Sequence, residues 1–216
     1  EYTIYFTATK DGYSVTSSHK KLTVTKATIP ASAITAPAAN ALTYNGNEQV
    51  LVKAGSVGAE YGEMQYRLGT SGSFSTAIPT ATDAGTYTVY YKVVGAEGYN
   101  DTTAKSIEVT ISPVKIKGIG NVASVSKTYD VSASVTLPKT NLAFLDAAGS
   151  TISLPESAYT ITDARFTARQ DNFYEDSPNA GTKEAISFTL TLTDSNYVFE
   201  GEAANARSAN FNFTTN

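Results

Sequence analysis

The chain holds a single histidine and no cysteine, which excludes cysteine nucleophiles, iron–sulfur clusters and zinc–thiolate sites. That histidine, His19, follows Ser17 and Ser18 and precedes Lys20 and Lys21. A Ser–His dyad needs the hydroxyl within hydrogen-bond reach of the ring and a third group to orient it. A polar turn between two short strands rarely provides that, so His19 reads as a surface residue. The richest acidic cluster runs from Gln170 to Ala180 and contains Asp171, Asn172, Glu175 and Asp176. Several oxygen ligands in one loop suit Ca²⁺, which takes roughly six to eight in flexible geometry. The spacing fits no EF-hand loop and Pro178 restricts the backbone, so a solvated insertion is the expectation, with those four residues as the calcium candidates.

Glycoside hydrolysis requires two carboxylates about 5–10 Å apart. Asp163 is the acid that falls inside a predicted strand of mixed pattern, and Arg165, two residues on, is its alternative partner. The 14 tyrosines invite a sugar-stacking reading, since each ring joins an apolar face to a hydroxyl. Most of them occupy core-face or turn positions. Tyr174, in the acidic insertion, is the glycan candidate. A Lys–Asn isopeptide crosslink needs a buried lysine, whereas Lys92 and Lys105 fall on a polar face or at a strand start. The expectation is a protein that is not an enzyme and carries no cofactor.

The elements that would position these residues repeat along the chain. Tyr2-Thr3-Ile4-Tyr5-Phe6 resembles Tyr87-Thr88-Val89-Tyr90-Tyr91, and both alternate with the strand period. Asp11-Gly12-Tyr13 answers Glu97-Gly98-Tyr99, and Asn196-Tyr197 stands in that place a third time. Ala84-Gly85-Thr86 returns as Ala180-Gly181-Thr182, and Leu42-Thr43-Tyr44-Asn45-Gly46 as Lys127-Thr128-Tyr129-Asp130-Val131. Boundaries fall at Ile29-Pro30 and Ser112-Pro113, because proline cannot donate to a ladder. Residues 1–29 then read as the C-terminal two strands of a truncated module, 30–112 as a complete module and 113–216 as a longer one. The apolar face of residues 1–26 needs a cover, either the adjacent module or a second copy in a homodimer.

Strands are expected at 49–53, 63–68, 104–111, 122–128, 158–168 and 185–193, rich in Val, Ile, Thr, Tyr and Phe between turn residues. Asn45-Gly46 is a hairpin signal. Val131, a β-branched residue at the matching place, predicts a different turn there. No stretch carries a convincing helical period, and 140–150 makes one short turn at most. The fold class is all-β: tandem antiparallel β-sandwich modules of immunoglobulin-like size, with a β-grasp-like mixed sheet as the alternative.

The net charge of −4 and the pI near 5.0 argue against nucleic acid as a partner. No apolar run reaches the roughly 18 residues of a spanning helix, so membrane insertion is not expected. Ser and Thr make up about a quarter of the chain and charge is sparse, which suits an exposed extracellular surface.

The Tyr-Asn-Gly and Tyr-Asp landmarks, Asp83 to Val89, and Gly98 to Asn100 together resemble the bacterial cell-surface repeats called MBG and YDG domains. Residues 30–112 look MBG-like and 113–216 YDG-like, with Asn45 and Val131 departing from the signature tripeptide. The resemblance implies a non-catalytic stalk or adhesive spacer of a secreted or wall-anchored protein, located outside the cell or in its wall. Its partner would be a host or cell-wall glycan or protein. The alternative is a carbohydrate-binding module of a secreted glycan-active enzyme. Leu154-Pro155-Glu156-Ser157 imitates a sortase signal but has no apolar tail behind it.

Overall fold

The computed structural model describes residues 2–4, 6–18, 20–123, 125–170, 173–176, 185–201 and 207–214. The described chain is all-β, and its helical content is three single 3-10 turns, Ala31–Ala33, Lys139–Asn141 and Glu156–Ala158. Two compact units are interleaved in sequence. The first comprises Glu1–Asn40, Val50–Thr80 and Tyr87–Val109, and the second Ala41–Gln49, Ala81–Thr86 and Thr110–Asn216.

The second unit is a sandwich of two four-stranded sheets. One runs in the order Thr151–Ile152, Leu142–Asp146, Val114–Val122, Tyr197–Phe199, and the other Phe173–Asp176, Tyr159–Gln170, Ala185–Leu192, Ser208–Thr214. Strict alternation builds the interior: Ile186, Phe188, Leu190 and Leu192 are buried on one side of their strand, while Ser187, Thr189 and Thr191 lie between them. They share a single core with Ile116, Ile119 and Phe144 of the facing sheet. Phe144 meets Tyr159 edge-on at 5.0 Å between ring centroids, and Phe188 stacks on Phe211 at 5.8 Å. The strand expected at 122–128 lies earlier, at Val114–Val122. There Ile116 and Ile119 turn inward across a bulge at Gly118, and Lys115 and Lys117 face out, so the apolar pair hides behind two lysines.

In the first unit Gly62–Leu68 pairs antiparallel with Gly85–Gly95, from Gly62 opposite Gly95 to Leu68 opposite Val89. Met64 and Tyr66 are buried against Val89 and Val93, and Glu63, Gln65 and Arg67 occupy the wetter face, as their alternation predicts. The Tyr66 hydroxyl accepts from the Gly55 amide at 2.8 Å, which satisfies the one polar atom of a ring that is 3% exposed.

Antiparallel sandwiches were the expectation, with a mixed sheet as the alternative, and parallel pairs do recur within the sheets. Leu42–Thr43 lies parallel to Ile111–Ser112, and Val114–Ile116 parallel to Tyr197–Phe199. Nor do the strands beside Asn45-Gly46 pair with each other as a hairpin. Leu42–Thr43 joins Lys105–Ser112, while Gln49–Val50 joins Thr80–Ala81, so the turn reverses the chain between different partners.

At the N-terminus Thr7–Lys10 and Tyr13–Thr16 form a hairpin closed by Asp11 and Gly12, both at positive φ (51° and 83°), the conformation Asp-Gly turns favour. Tyr2–Ile4 pairs with Lys20–Leu22. Among the described residues the expected cover is not seen: Phe6 is 71%, Tyr13 81% and Val15 71% exposed. Ladder bonds hold this segment without a second layer. In dilute solution the amides of Thr7–Lys10 should therefore exchange on the order of a hundredfold or more faster than those of Ala185–Leu192. Residue-resolved hydrogen exchange checks this, and equal protection would mean the hairpin is covered.

Candidate functional site

The segment from Ala96 to Ala104 joins the long strands Gly85–Gly95 and Lys105–Ser112 and carries a dense set of polar contacts in the first unit. Gly95 opens it, and a Cβ there would meet the Tyr99 carbonyl oxygen at 2.5 Å, so the close return of the chain requires glycine. Thr102 continues the ladder by an unusual route: its amide donates to the Val93 carbonyl at 2.9 Å, and its hydroxyl accepts from the Val93 amide at 2.8 Å. Asn100 ties the segment to the chain that enters the unit. Its amide donates to the Ala27 carbonyl at 2.9 Å, and its Nδ2 donates to the Lys26 carbonyl at 3.1 Å. Ala27 in turn donates to Gly98, giving a short parallel bridge with Tyr99.

Asp101 sits between two donors. Lys92 Nζ lies 2.9 Å from its Oδ2, and the Gly95 amide donates to its Oδ1 at 3.0 Å. The Lys92 hydrogen bond first, then the Gly95 amide, hold this carboxyl below the ordinary carboxylate range. Lys92 is itself steered by the Phe74 ring, 5.4 Å away. Asn100, Asp101 and Thr102 help wall a cleft of about 420 Å³. Its apolar side is made by Ile29, Ile34, Tyr91 and Val93, and its polar side by Asn100, Asp101, Thr103 and Lys105.

The second unit repeats the tie with a heavier lock. The Val114 amide donates to the Asn196 carbonyl at 2.8 Å, and Val114–Ile116 pairs in parallel with Tyr197–Phe199. Asn196 is 6% exposed and spends its whole side chain on main-chain and carboxylate partners: Oδ1 accepts from the Ala84 amide at 2.6 Å, and Nδ2 donates to Asp83 Oδ1 at 3.1 Å. In each unit a second tyrosine meets the landmark ring edge-on, Tyr61 on Tyr99 at 5.2 Å and Tyr44 on Tyr197 at 5.7 Å. Tyr13, aligned with them in sequence, is exposed and shares neither contact.

The two upstream landmarks form one kind of turn. The Asn47 amide donates to Asn45 Oδ1 at 2.9 Å with Gly46 at φ 77°, and the Ser132 amide donates to Asp130 Oδ1 at 3.0 Å with Val131 at φ 62°. The expectation that Val131 forces a different turn is thus overturned. The side-chain bond, reinforced by Lys127 at 2.7 Å from the same oxygen, holds valine in a conformation that β-branched residues avoid. Lys127 and then the Ser132 amide keep Asp130 below the ordinary carboxylate range.

The sequence-predicted sites fare differently. His19, Asp171 and Asn172 lie outside the described residues. Tyr174, Glu175 and Asp176 belong to the strand Phe173–Asp176, which pairs with Thr167–Gln170 of the neighbouring strand, so this part of the expected loop is sheet. Asp163 sits at a bulge with φ 54°, and Arg165 Nε donates to its main-chain carbonyl. Leu154 and Ala158 of the sortase-like stretch are buried in the core. Among the described residues no three His, Cys, Asp or Glu side chains gather as metal ligands. No helix of the described chain is long and apolar enough to cross a membrane. The cavity escaped sequence reading because its two walls lie some 70 positions apart. The available signal was four consecutive hydrogen-bonding side chains, Asn100 to Thr103, directly after the Gly-Tyr landmark.

No protein-family model, curated protein or solved structure matches the chain.

Two measurements test these turns and ties. Val131 is 71% exposed, so Val131→Gly loses little burial and relieves the left-handed strain; it should raise stability by about 0.5–1 kcal/mol in denaturant titration. Asp101 and Asp130 both have lowered folded values, so the unfolded chain takes up their protons at higher pH. Their stabilisation is complete above about pH 4 and fades as pH falls through the lower folded values. Between pH 5 and about pH 2 the native chain should lose stability more steeply than an Asp101→Asn, Asp130→Asn double variant.

Proposed function

We propose that this chain is a non-catalytic repeat region of a secreted or wall-anchored bacterial surface protein, working as a stiff stalk or adhesive spacer outside the cell or in its wall. The observation that carries the reading is the recurrent tie. In both units a segment is laid in parallel beside the one bearing the landmark tyrosine, Ala27 on Tyr99 as a single bridge and the strand from Val114 on Tyr197. A loose linker would leave Lys26-Ala27 and Pro113-Val114 free to swivel, whereas here their main-chain groups are held by Gly98, Asn100 and Asn196. Low charge, abundant Ser and Thr and the absence of cysteine agree with an exposed extracellular role.

Load applied along the chain reaches these ties as well as the sheets, because each joins segments far apart in sequence. Single-molecule pulling from the two ends should give abrupt, cooperative unfolding events. Asn100→Ala and Asn196→Ala should each lower the rupture force, and Asn196→Ala should also cost about 1–3 kcal/mol at equilibrium by leaving the Ala84 amide unpaired. Gradual extension without such events, or variants as strong as the native chain, would remove the mechanical reading.

A further inference from the structure

We propose that the cavity between Ile29–Ala36 and Asn100–Lys105 is a saccharide-binding pocket, a role separate from that of a spacer. The space of about 420 Å³ opens to solvent on its polar side and reaches down to side chains as buried as Ile29 (5% exposed) and Val93 (1%), so it is a cleft with an apolar floor. Its size falls in the range of small-molecule sites. Its two walls differ in kind. One is apolar and includes the ring of Tyr91, whose hydroxyl makes no hydrogen bond among the described residues. The other presents a carboxylate, an amide, a hydroxyl and an ammonium from Asp101, Asn100, Thr103 and Lys105.

Two of these polar groups, Asp101 and Asn100, are held in place before any ligand arrives. Asp101 is fixed by Lys92 and the Gly95 amide, yet its oxygens have further lone pairs to accept with. Asn100 is anchored through Nδ2 to the Lys26 carbonyl, which leaves its side-chain oxygen for a donor. Lys105 has no ion-pair partner among the described residues. A ligand must therefore offer an apolar face to Tyr91 and Ile34 and, at its edge, groups that both donate and accept. A pyranose does this: its axial C–H bonds form one face and its hydroxyls alternate as donors and acceptors around the rim. A nucleotide or other phosphate would meet the Asp101 carboxylate at the same wall, and a purely apolar guest would strand four polar groups.

The test is a ¹⁵N-labelled chain titrated with a panel of glucose, galactose, mannose, N-acetylglucosamine and N-acetylgalactosamine, and their β-linked disaccharides. Saturable shifts for at least one member should appear at Ile34, Tyr91 and Thr103 and be absent from Ala185–Leu192. Ala36 lines the cavity from an exposed position, so Ala36→Phe fills the space without entering the core and should abolish those shifts while leaving the melting temperature unchanged. Thr103→Val, which removes one hydroxyl at nearly constant volume, should weaken binding roughly tenfold. Two results would overturn the pocket: no panel member giving saturable shifts at these residues, or shifts that persist undiminished in a folded Ala36→Phe chain.

Discussion

The structure depends on the parallel pairing of Ala27 and of Val114–Ile116 with segments far along the chain. Parallel neighbours cannot be joined by a tight turn, so their pairing demands a long connection between them. Ala27 and Tyr99 are brought together across the whole Gly62–Leu68 and Gly85–Gly95 hairpin, and Val114 and Tyr197 across most of a sandwich. Once those bridges close, everything between them is compelled to return, and the cores find their depth. The cost is kinetic. Contacts this far apart in sequence close late, against a large loop entropy, so the topology is one that folds slowly for its size.

Polar side chains complete what the ladders begin. Asn196 sits in the interior of the second unit without an energetic deficit because each end of its side-chain amide has a partner, and the Asn196 main-chain amide donates to Asp194 Oδ1 at 2.9 Å. Asn100 does the same work at the surface, where water could have substituted. The difference in burial separates a contact that specifies the fold from one that trims it. The N-terminal hairpin marks the opposite limit. It has registered ladders and a good turn, but Phe6 and Val15 stand in solvent, and hydrogen bonds alone contribute little net stability there.

Much of this was readable from residue order. The alternation in Ala185–Leu192 and in Gly62–Leu68 announced both strand and buried face, because a period of two sustained over a whole segment is the signature of a half-buried strand. Of the three aligned tyrosines, 99 and 197 share the role their spacing suggested, and Tyr13, exposed in the N-terminal hairpin, does not. What could not be read was partner choice. Leu42–Thr43 carries no mark that it will lie parallel to Ile111–Ser112 rather than turn back on Gln49–Val50, since short strands encode their faces and not their neighbours. The Val114–Val122 strand was obscured by its bulges, which break the alternation at Gly118 and Asn121. The candidate cavity was invisible for a related reason: its walls are assembled by the fold from stretches with no local tie.

Val131 shows how such repeats can diverge. The turn at Asp130 keeps its shape although the residue that should be glycine is valine, because the carboxylate bond to Ser132 dictates the path of the chain. The instruction therefore resides in the second residue of the Tyr-Asp-Val landmark, and the third is only a convenience that lowers the strain. A domain with a margin of several kcal/mol can absorb a penalty of about 1–2 kcal/mol at one exposed turn. Within this one chain, then, the same turn is written with glycine at position 46 and with valine at position 131, and what the two places share is an acceptor oxygen two residues ahead of the amide it binds.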